Sequence, residues 1–427
     1  DLRMSRGLGD VYKRQGCSQH EWTHNEDPRF PGSMDFDWKY NWELASGCVR
    51  NVLAETKIDP AEIAAISTTC MREGILLYDK DGNEIWACAN VDARSNDEVA
   101  ELIRMNPDLE LELYKKSGQS YALNAIPRIL WVKNNMPDIY EKTAKIGMFN
   151  DWLIYKLTGV LAVEPSNGST TGLLDLQTRT WDTEIAAKCN LRTDIFPDIL
   201  ECGSISGKVT AKGASETGLA EGTPVVVGGG DCQLGTIGVG ACKPGEAAVF
   251  GGSFWQYEFN TESGKTDPYG RVRVNCHAVP GVWQYEALAF KPGLVMRWFR
   301  DGFCQEEKRK AKEIGDDPYN LMNQAAEKIP AGCYGMMCCF SDIMNFINWK
   351  HAAPTFTNFE LLPEKFNKYT FYRSILENTA MLVKGHIELV KEATGNEPDK
   401  LIFAGGASVS DLSLIHISEP TRHAQIS

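Results

Sequence analysis

One stretch of the chain, Thr223 to Gly235, restricts the possible fold more than any other. Three consecutive valines are typical of a buried strand, and the three glycines after them allow a turn in which a Cβ atom would clash. Asp231 follows the last glycine directly. Ligands of open α/β sheets collect at the carboxyl ends of strands, so we interpret Asp231 as a general base for a substrate hydroxyl. The alternative is a surface turn in which the aspartate bonds to its own backbone.

Length and charge narrow the class of protein. A chain of 427 residues exceeds one ordinary core, so two domains are expected. A net charge of −13 disfavours nucleic acid or an anionic membrane surface as a partner, although a glycine-rich loop can still bind a nucleotide's phosphates. The 13 cysteines show neither a zinc pattern nor a disulfide framework, which favours the reducing cytoplasm.

Strand-like and helix-like segments alternate along the chain. A hairpin is predicted at 75–88, helices across 96–145, 149–159, 182–200 and 365–395, a polar loop at 164–172, and strands at 203–209, 247–258, 282–288 and 400–403. Asn150 or Asp151 is the predicted N-cap of the second of these helices, and Gly159 its end. This alternation predicts two α/β domains that meet at a cleft.

Two glycine-rich turns follow predicted strands and could bind phosphate or nucleotide. Gly251 and Gly252 would let a phosphate approach the backbone, and Ser253 adds a hydroxyl donor. Gly405, Gly406 and Ala407 would leave room for an adenosine on the backbone. An ordinary hairpin turn and an ordinary strand-to-helix turn are the alternatives.

Charged pairs at two other predicted strand ends are candidates for substrate contacts. Arg72 and Glu73 could donate to and accept from vicinal substrate oxygens, and Asp92 with Arg94 invites the same interpretation. A solvated turn is the alternative for each pair. Trp255 could form an apolar wall beside a substrate, or simply pack in the core.

Both ends of the chain differ in character from the rest. Residues 1–15 and 409–427 resemble translated sequencing-adapter read-through and do not continue the neighbouring patterns, so we exclude them from fold predictions.

An ordered series of segments between about Gly16 and Ala407 resembles the FGGY family of carbohydrate kinases. The segments are Pro31-Gly-Ser-Met-Asp-Phe-Asp37, Cys70-Met-Arg-Glu-Gly74, Ile85 to Arg94, Ser166-Asn167, Val225 to Asp231, Gly251-Gly-Ser-Phe-Trp-Gln256, Met296-Arg-Trp-Phe-Arg-Asp301 and Arg373 to Ala380. The resemblance implies an α/β fold of two actin-like (ribonuclease H-like) domains with a cleft between them. Residues 16–240 would form the substrate-binding domain and 241–408 the ATP-binding domain.

The resemblance also implies an activity and its residues. It implies a phosphotransferase with an alcohol acceptor that uses ATP and Mg²⁺, with Asp231 as the base and a possible water-mediated metal contact. Arg72, Glu73, Asp92 and Trp255 would contact the substrate, while Gly251 to Ser253 and Gly405 to Ala407 would bind ATP. The implied substrate is 4,5-dihydroxy-2,3-pentanedione, a quorum-sensing signal, phosphorylated at its C5 hydroxyl.

One family feature has no counterpart in residues 1–30, namely the Asp-x-Gly-Thr/Ser loop that binds phosphate and helps to hold Mg²⁺. The C-terminal helices beyond the adenosine loop are also missing. We therefore expect a chain cut at both ends, with little or no activity by itself. The alternatives are a family kinase for another substrate, such as xylulose, ribulose or glycerol, and a non-catalytic actin-like binding protein.

Overall fold

A computed structural model describes residues 16–122, 124–340 and 353–409 of the chain. The adapter-like segments lie outside these ranges, apart from Val409. The strands are β1 (His24–Asn25), β2 (Asp35–Phe36), β3 (Ile66–Cys70), β4 (Ile75–Tyr78), β5 (Glu84–Cys88), β6 (Lys145–Met148), β7 (Ala162–Val163), β8 (Leu174–Asp175), β9 (Thr180–Trp181), β10 (Asp198–Ile199), β11 (Ile205–Lys208), β12 (Pro224–Gly230), β13 (Glu246–Gly251), β14 (Trp255–Thr261), β15 (Arg273–Cys276), β16 (Trp283–Ala289), β17 (Met337–Cys339), β18 (Thr355–Thr357) and β19 (Lys400–Ala404).

The helices separate these strands along the chain. They are α1 (Trp38–Thr56), α2 (Asn96–Met105), α3 (Leu109–Ser117), α4 (Ala125–Asn135), α5 (Pro137–Lys142), α6 (Phe149–Thr158), α7 (Pro165–Gly168), α8 (Thr183–Lys188), α9 (Ala211–Thr217), α10 (Asp231–Gly238), α11 (Pro292–Phe303), α12 (Gln305–Ile314), α13 (Pro318–Ala326) and α14 (Lys368–Thr394). None of the described helices combines the length and the apolar character needed to cross a membrane.

The first half of the chain builds two sheets of three or more strands. A five-stranded sheet has the order β1-β2-β5-β4-β6, and a three-stranded sheet has the order β11-β12-β3. Strands β12 and β3 run parallel, whereas β11 and β12 are antiparallel. Because β3 and β12 are parallel neighbours, the residues that follow them emerge at the same edge of this sheet.

The second half of the chain builds a five-stranded sheet with the order β15-β16-β14-β13-β19. Its β13 and β19 are parallel, and its other pairs are antiparallel. One face carries large apolar side chains, among them Tyr257, Phe259 and Tyr285, which share a buried core with Tyr372 and Ile375 of α14. This core holds α14 against the sheet.

Three local predictions require correction. Met148, not Asn150 or Asp151, is the N-cap of α6, because Asp151 lies one turn inside and accepts a hydrogen bond from the Met148 N–H. The predicted helix at 182–200 is the short α8 followed by irregular chain and β10. The predicted polar loop at 164–172 is instead α7 and a short 3₁₀ turn, and its polar side chains are buried.

Candidate functional site

The strand β12 ends in the turn that presents Asp231, as the sequence predicted. A Cβ on Gly228 would lie 1.6 Å from the carbonyl oxygen of Thr68 on β3, so a side chain there would clash with backbone. The glycines therefore let β12 approach its parallel neighbour closely. Asp231 is the first residue of α10, and Gly230 is its N-cap.

A buried polar chain fixes the backbone just before Asp231. The Gly230 N–H donates to Ser166 Oγ at 2.8 Å, and the Ser166 hydroxyl donates to Glu164 at 2.7 Å. Glu164 is fully buried and also accepts the N–H groups of Ser166 and Asn167 at the start of α7. The polar segment 164–172 therefore fixes the turn before Asp231 through hydrogen bonds.

The Asp231 carboxylate is partly open to solvent. Its side chain is 52% exposed, its Oδ1 lies 3.6 Å from Arg72 Nε, and it accepts the Cys232 N–H at 2.9 Å. Surrounding protein raises the pKa of Asp231 above its ordinary value by desolvation, although Arg72 opposes the shift. The open half of the side chain limits how large this shift can be. Asp231 is thus both the aspartate of a local turn and an accessible carboxylate.

Arg72 lies beside Asp231 and is held by a contact with the sheet β15-β16-β14-β13-β19, which we call the second sheet. Its guanidinium makes a two-pronged pair with Glu286 on β16, with Nη1 donating to Oε2 and Nη2 to Oε1 at 3.0 Å. Arg72 Nη2 also approaches Cys232 Sγ at 3.3 Å. Burial alone would raise the pKa of Glu286, but Arg72 and Arg273 outweigh it and hold that pKa below its ordinary value.

Glu73 also pairs with the second sheet. Its carboxylate accepts from Arg273 Nη2 at 2.5 Å, and Arg273 Nε donates to Gln119 Oε1 at 2.7 Å. Glu73 has a positive φ of 68°, which is unusual for a residue other than glycine. The two adjacent residues at the end of β3 therefore reach two different strands across the boundary between the sheets.

These contacts belong to a larger feature, which we call the polar layer. It consists of the polar face of the second sheet together with Arg72, Glu73 and the start of α10. Its sheet residues are the half-buried Gln256 and six buried ones: Glu258, Asn260, Arg273, Asn275, Gln284 and Glu286. None of these sheet residues is among the candidates predicted from the sequence. The signal was a polar residue at every second position of three strands, a pattern that ordinarily indicates a solvated face.

Glu258 is the least satisfied member of the polar layer. It is fully buried and stands opposite Glu286 in the register of β14 and β16. Neither of its oxygens has a hydrogen-bond partner within the described parts of the chain. Burial raises the pKa of Glu258 well above its ordinary value, and the charge of Glu286 raises it further.

Asp92 lies away from this cluster of contacts. Its carboxylate has no exposed surface and forms a pair with Arg94, with Nη2 to Oδ2 at 2.7 Å, while it also accepts the Met34 N–H at 2.6 Å. Arg94 stacks on Trp131, with the guanidinium carbon 4.8 Å from the ring centre. The structure therefore pairs Asp92 with Arg94, and a substrate contact by Asp92 remains a prediction.

The two glycine-rich turns come together in the second half of the chain. A Cβ on Gly405 would lie 2.6 Å from the Gly251 carbonyl oxygen, and one on Gly251 would lie 2.9 Å from the Ala407 Cβ. Arg297 of α11 donates to Ser253 Oγ at 2.7 Å. The turn at 251–253 connects β13 and β14, so it is a hairpin turn in its geometry.

Trp255 begins the strand after this turn. It is 2% exposed and packs against Phe403, with ring centres 5.3 Å apart. Its Cε2 would lie 3.2 Å from a Cβ on Gly251, and its indole N–H finds no partner in the described residues. Trp255 therefore belongs to the core beside the turn, and its contact with a substrate remains a prediction.

Two family models cover most of the chain. Residues 12–238 match the N-terminal domain of the FGGY family of carbohydrate kinases, and residues 260–417 match the C-terminal domain. The chain therefore belongs to this family, whose members are phosphotransferases that act on an alcohol group. The fold class predicted from the sequence, two actin-like domains, is confirmed.

Two kinases are similar to this chain in sequence, and one solved structure is similar to it in fold. The chain is 46% identical over 401 residues to an autoinducer-2 kinase of Salmonella paratyphi B. The aligned residues make up 94% of this chain and 76% of that protein. The chain is 47% identical over 397 residues to an autoinducer-2 kinase of Yersinia enterocolitica, which covers 93% and 75%. The solved xylulose kinase of Rhodospirillum rubrum superimposes with a TM-score of 0.81 at 21% identity and covers 95% of this chain and 80% of that one.

Proposed function

We propose that this protein phosphorylates the C5 hydroxyl of 4,5-dihydroxy-2,3-pentanedione, the linear form of autoinducer-2, with ATP as the phosphoryl donor. The observation that carries this proposal is the 46% identity to an autoinducer-2 kinase along 94% of the chain. In this function the protein would process a quorum-sensing signal. A kinase for another sugar or polyol is the alternative that a substrate comparison tests.

Asp231 is the proposed base. It is accessible, it lies at the carboxyl end of a strand, and its pKa is raised, so it accepts a proton more readily than an ordinary aspartate. Removing the proton from a hydroxyl prepares that oxygen to attack phosphorus. Glu164 and Ser166 act on Asp231 only through the backbone of Gly230, so we assign them a positioning role.

Arg72 and Glu73 are the proposed contacts to vicinal substrate oxygens. Both already have partners on the second sheet, so each is fixed in orientation before a substrate arrives. Such fixed donors and acceptors need little reorganisation when they bind. We also propose that Asp92 and Trp255 contribute to the substrate side of the site, Asp92 through Arg94 and Trp255 as an apolar wall beside the substrate.

The turn at 251–253 and the loop at 405–407 are the proposed nucleotide site. A Cβ at Gly251 or Gly405 would collide with the other turn, so glycine lets the two turns lie against each other, and we propose that together they bind the phosphates and the adenosine through backbone N–H groups. Bound Mg²⁺ would neutralise the charge of the phosphates. Asp231 would hold it through water, because its carboxylate is the accessible acid beside the turn of α10.

The proposed domain division places 16–240 on the substrate side and 241–408 on the nucleotide side. All 13 cysteine thiols are free, and we infer that the protein works in a reducing compartment such as the cytoplasm.

The variant Asp231→Asn tests the base. It removes the proton acceptor and keeps the shape, so transfer of phosphate from ATP should fall by about 10²–10⁴-fold in the gene product that carries this chain. Substrate affinity, measured by calorimetry, should change little. The matched control is Asp175→Asn, a turn aspartate that accepts from the Gln177 and Thr178 N–H groups. Unchanged turnover in Asp231→Asn would remove Asp231 from the mechanism.

A substrate panel tests the specificity separately. Dihydroxypentanedione, xylulose, ribulose and glycerol are compared at equal concentration by ATP consumption and by mass spectrometry of the product. We expect the highest kcat/KM for dihydroxypentanedione. A preference for a sugar or for glycerol would keep the family assignment and overturn the proposed substrate.

A further inference from the structure

The polar layer contains three potential metal ligands from three separate elements. Cys232 comes from α10, Glu258 from β14 and Glu286 from β16. Their Sγ and carboxylate oxygen atoms all lie within 4.8 Å of one another, and all three residues are buried. No other such group of three was found in the described parts of the chain.

The unsatisfied carboxylate of Glu258 is independent evidence that this cluster lacks a partner. Both of its oxygens are buried without a hydrogen-bond donor among the described residues. Desolvating a carboxyl group in this way is costly unless it gains a proton or a cation. Gln256 Oε1 lies 3.4 Å from Cys232 Sγ and is a fourth potential metal ligand beside the cluster.

The balance of charge also favours a cation here. Among the described residues, four carboxylates meet in this part of the molecule, those of Glu73, Asp231, Glu258 and Glu286. Two guanidinium groups, those of Arg72 and Arg273, oppose them. If every group is ionised, the layer carries two uncompensated negative charges, which one divalent cation would neutralise.

We propose that Cys232, Glu258 and Glu286 form a binding site for a borderline divalent cation of the Zn²⁺ or Co²⁺ type. A thiolate selects such ions over Mg²⁺, which prefers oxygen ligands alone. Ligands of a tetrahedral zinc ion lie about 2.0–2.3 Å from the metal and hence roughly 3.5 Å apart, so the three donors would move inward by about an ångström.

Arg72 competes with a cation at this site. It pairs with both oxygens of Glu286 and approaches Cys232 Sγ, so a bound cation would take one Glu286 oxygen from it. Asn275 and Arg273 also contact Glu286 and would remain. A bound cation and Arg72 would therefore both contact the Glu286 carboxylate. Cation binding would weaken the ion pair that holds Arg72 beside Asp231. The site itself does not depend on the proposed kinase substrate.

Cobalt binding tests the site without an activity assay. The purified chain is titrated with Co²⁺ in excess Mg²⁺, and the thiolate-to-cobalt charge-transfer band in the near ultraviolet is recorded. We expect the band to saturate at one equivalent, and Zn²⁺ to abolish it by displacement. Zn²⁺ should also raise the melting temperature, because it binds the folded chain.

Three variants decide the outcome. Cys232→Ser should lose the band, and Glu258→Gln, which keeps the side-chain shape, should bind Co²⁺ at least about tenfold more weakly. The control is Cys276→Ser, a buried thiol on the apolar face of the same sheet, which should bind as the unchanged chain does. Circular dichroism confirms that each variant is folded.

Several results would overturn the proposal. They are the absence of the band in the unchanged chain, its persistence in Cys232→Ser, its equal loss in Cys276→Ser, or its removal by Mg²⁺. If Cys232→Ser does not fold, unchanged affinity in Glu258→Gln overturns the proposal by itself.

Discussion

The two faces of the sheet β15-β16-β14-β13-β19 are both buried, yet they are chemically opposite. Trp255, Tyr257 and Phe259 alternate along β14 with Gln256, Glu258 and Asn260; Gln256 is half-buried and the other five are buried. The apolar side chains pack in the core that includes α14. The polar ones form the polar layer against α10 and the end of β3.

The apolar face mainly stabilises the fold, whereas the polar face mainly positions side chains of the candidate site. Burial of the apolar face lowers the free energy of the folded state without any directional requirement. The polar face gains little net stability, since its charged groups lose their hydration when they pair. What the polar layer provides is a fixed position for Arg72 and Glu73 beside Asp231. Four predictions test this division, from the largest expected effect to the smallest.

Truncation of the apolar face should have the largest effect on stability. Phe259→Ala should lower the free energy of unfolding by about 3–5 kcal/mol, because it removes a ring that is 1% exposed and leaves a cavity. The measurement is urea unfolding at constant pH. Phe303→Ala, at a ring that is 53% exposed, is the control and should have a much smaller effect. Equal losses in the two variants would contradict the assignment of this core.

Breaking the Arg72–Glu286 pair should be costly, whereas replacing both partners should not. Glu286→Gln should lower stability by about 3 kcal/mol, since it leaves Arg72 with an incomplete partner in a buried place. The double variant Arg72→Met with Glu286→Leu should recover at least half of that loss in a double-mutant cycle, while kinase turnover stays low. A double variant that is less stable than either single one would show that the pair itself stabilises the fold.

Acid should destabilise the protein through His277, at the edge of the polar layer. Its Nδ1 accepts the Val279 N–H at 2.9 Å, and its Nε2–H donates to Thr236, whose own hydroxyl donates to the Gln233 carbonyl. Burial lowers the pKa of His277 from 6.5 to about 4.

The unfolded chain therefore takes up this proton first as the pH falls. The contribution to stability is complete above pH 6.5 and is lost between pH 6.5 and about 4, by about 3 kcal/mol in total. Urea unfolding across this range, compared with His277→Asn, isolates the effect from that of other groups. A constant difference between the two proteins at every pH would refute this role of His277.

An exposed ion pair should matter least. Arg309 and Glu313 pair at 2.7 Å on α12, with both side chains more than half exposed. Solvent screens this attraction, so Glu313→Gln should leave the unfolding midpoint unchanged within experimental error. A marked loss would mean that charges outside the polar layer also hold the fold.

Much of the architecture follows from local sequence patterns. The strand that ends before Asp231, the hairpin of β4 and β5, and the long helix α14 are visible because their periodicity and their glycines act over a few neighbouring residues. The N-cap of α6 is wrongly predicted because the two polar candidates, Asn150 and Asp151, lie in the first turn, and only hydrogen-bond geometry shows that the helix begins before them. The segment 164–172 was misjudged because its polarity indicates solvent, whereas it supports the turn at Gly230.

By itself, the sequence determined the family, the fold class and the position of Asp231 at a strand end. These depend on ordered motifs and on backbone requirements, such as the glycines that let β12 approach β3. Only the tertiary structure decided that Glu258 and Glu286 are buried, and that Arg72 and Glu73 pair across the boundary between the sheets. An alternating strand has the same sequence pattern whether water or another domain covers its polar face. The covering element, α10, ends 17 residues before β14 begins, so no local sequence pattern predicts the contact between them.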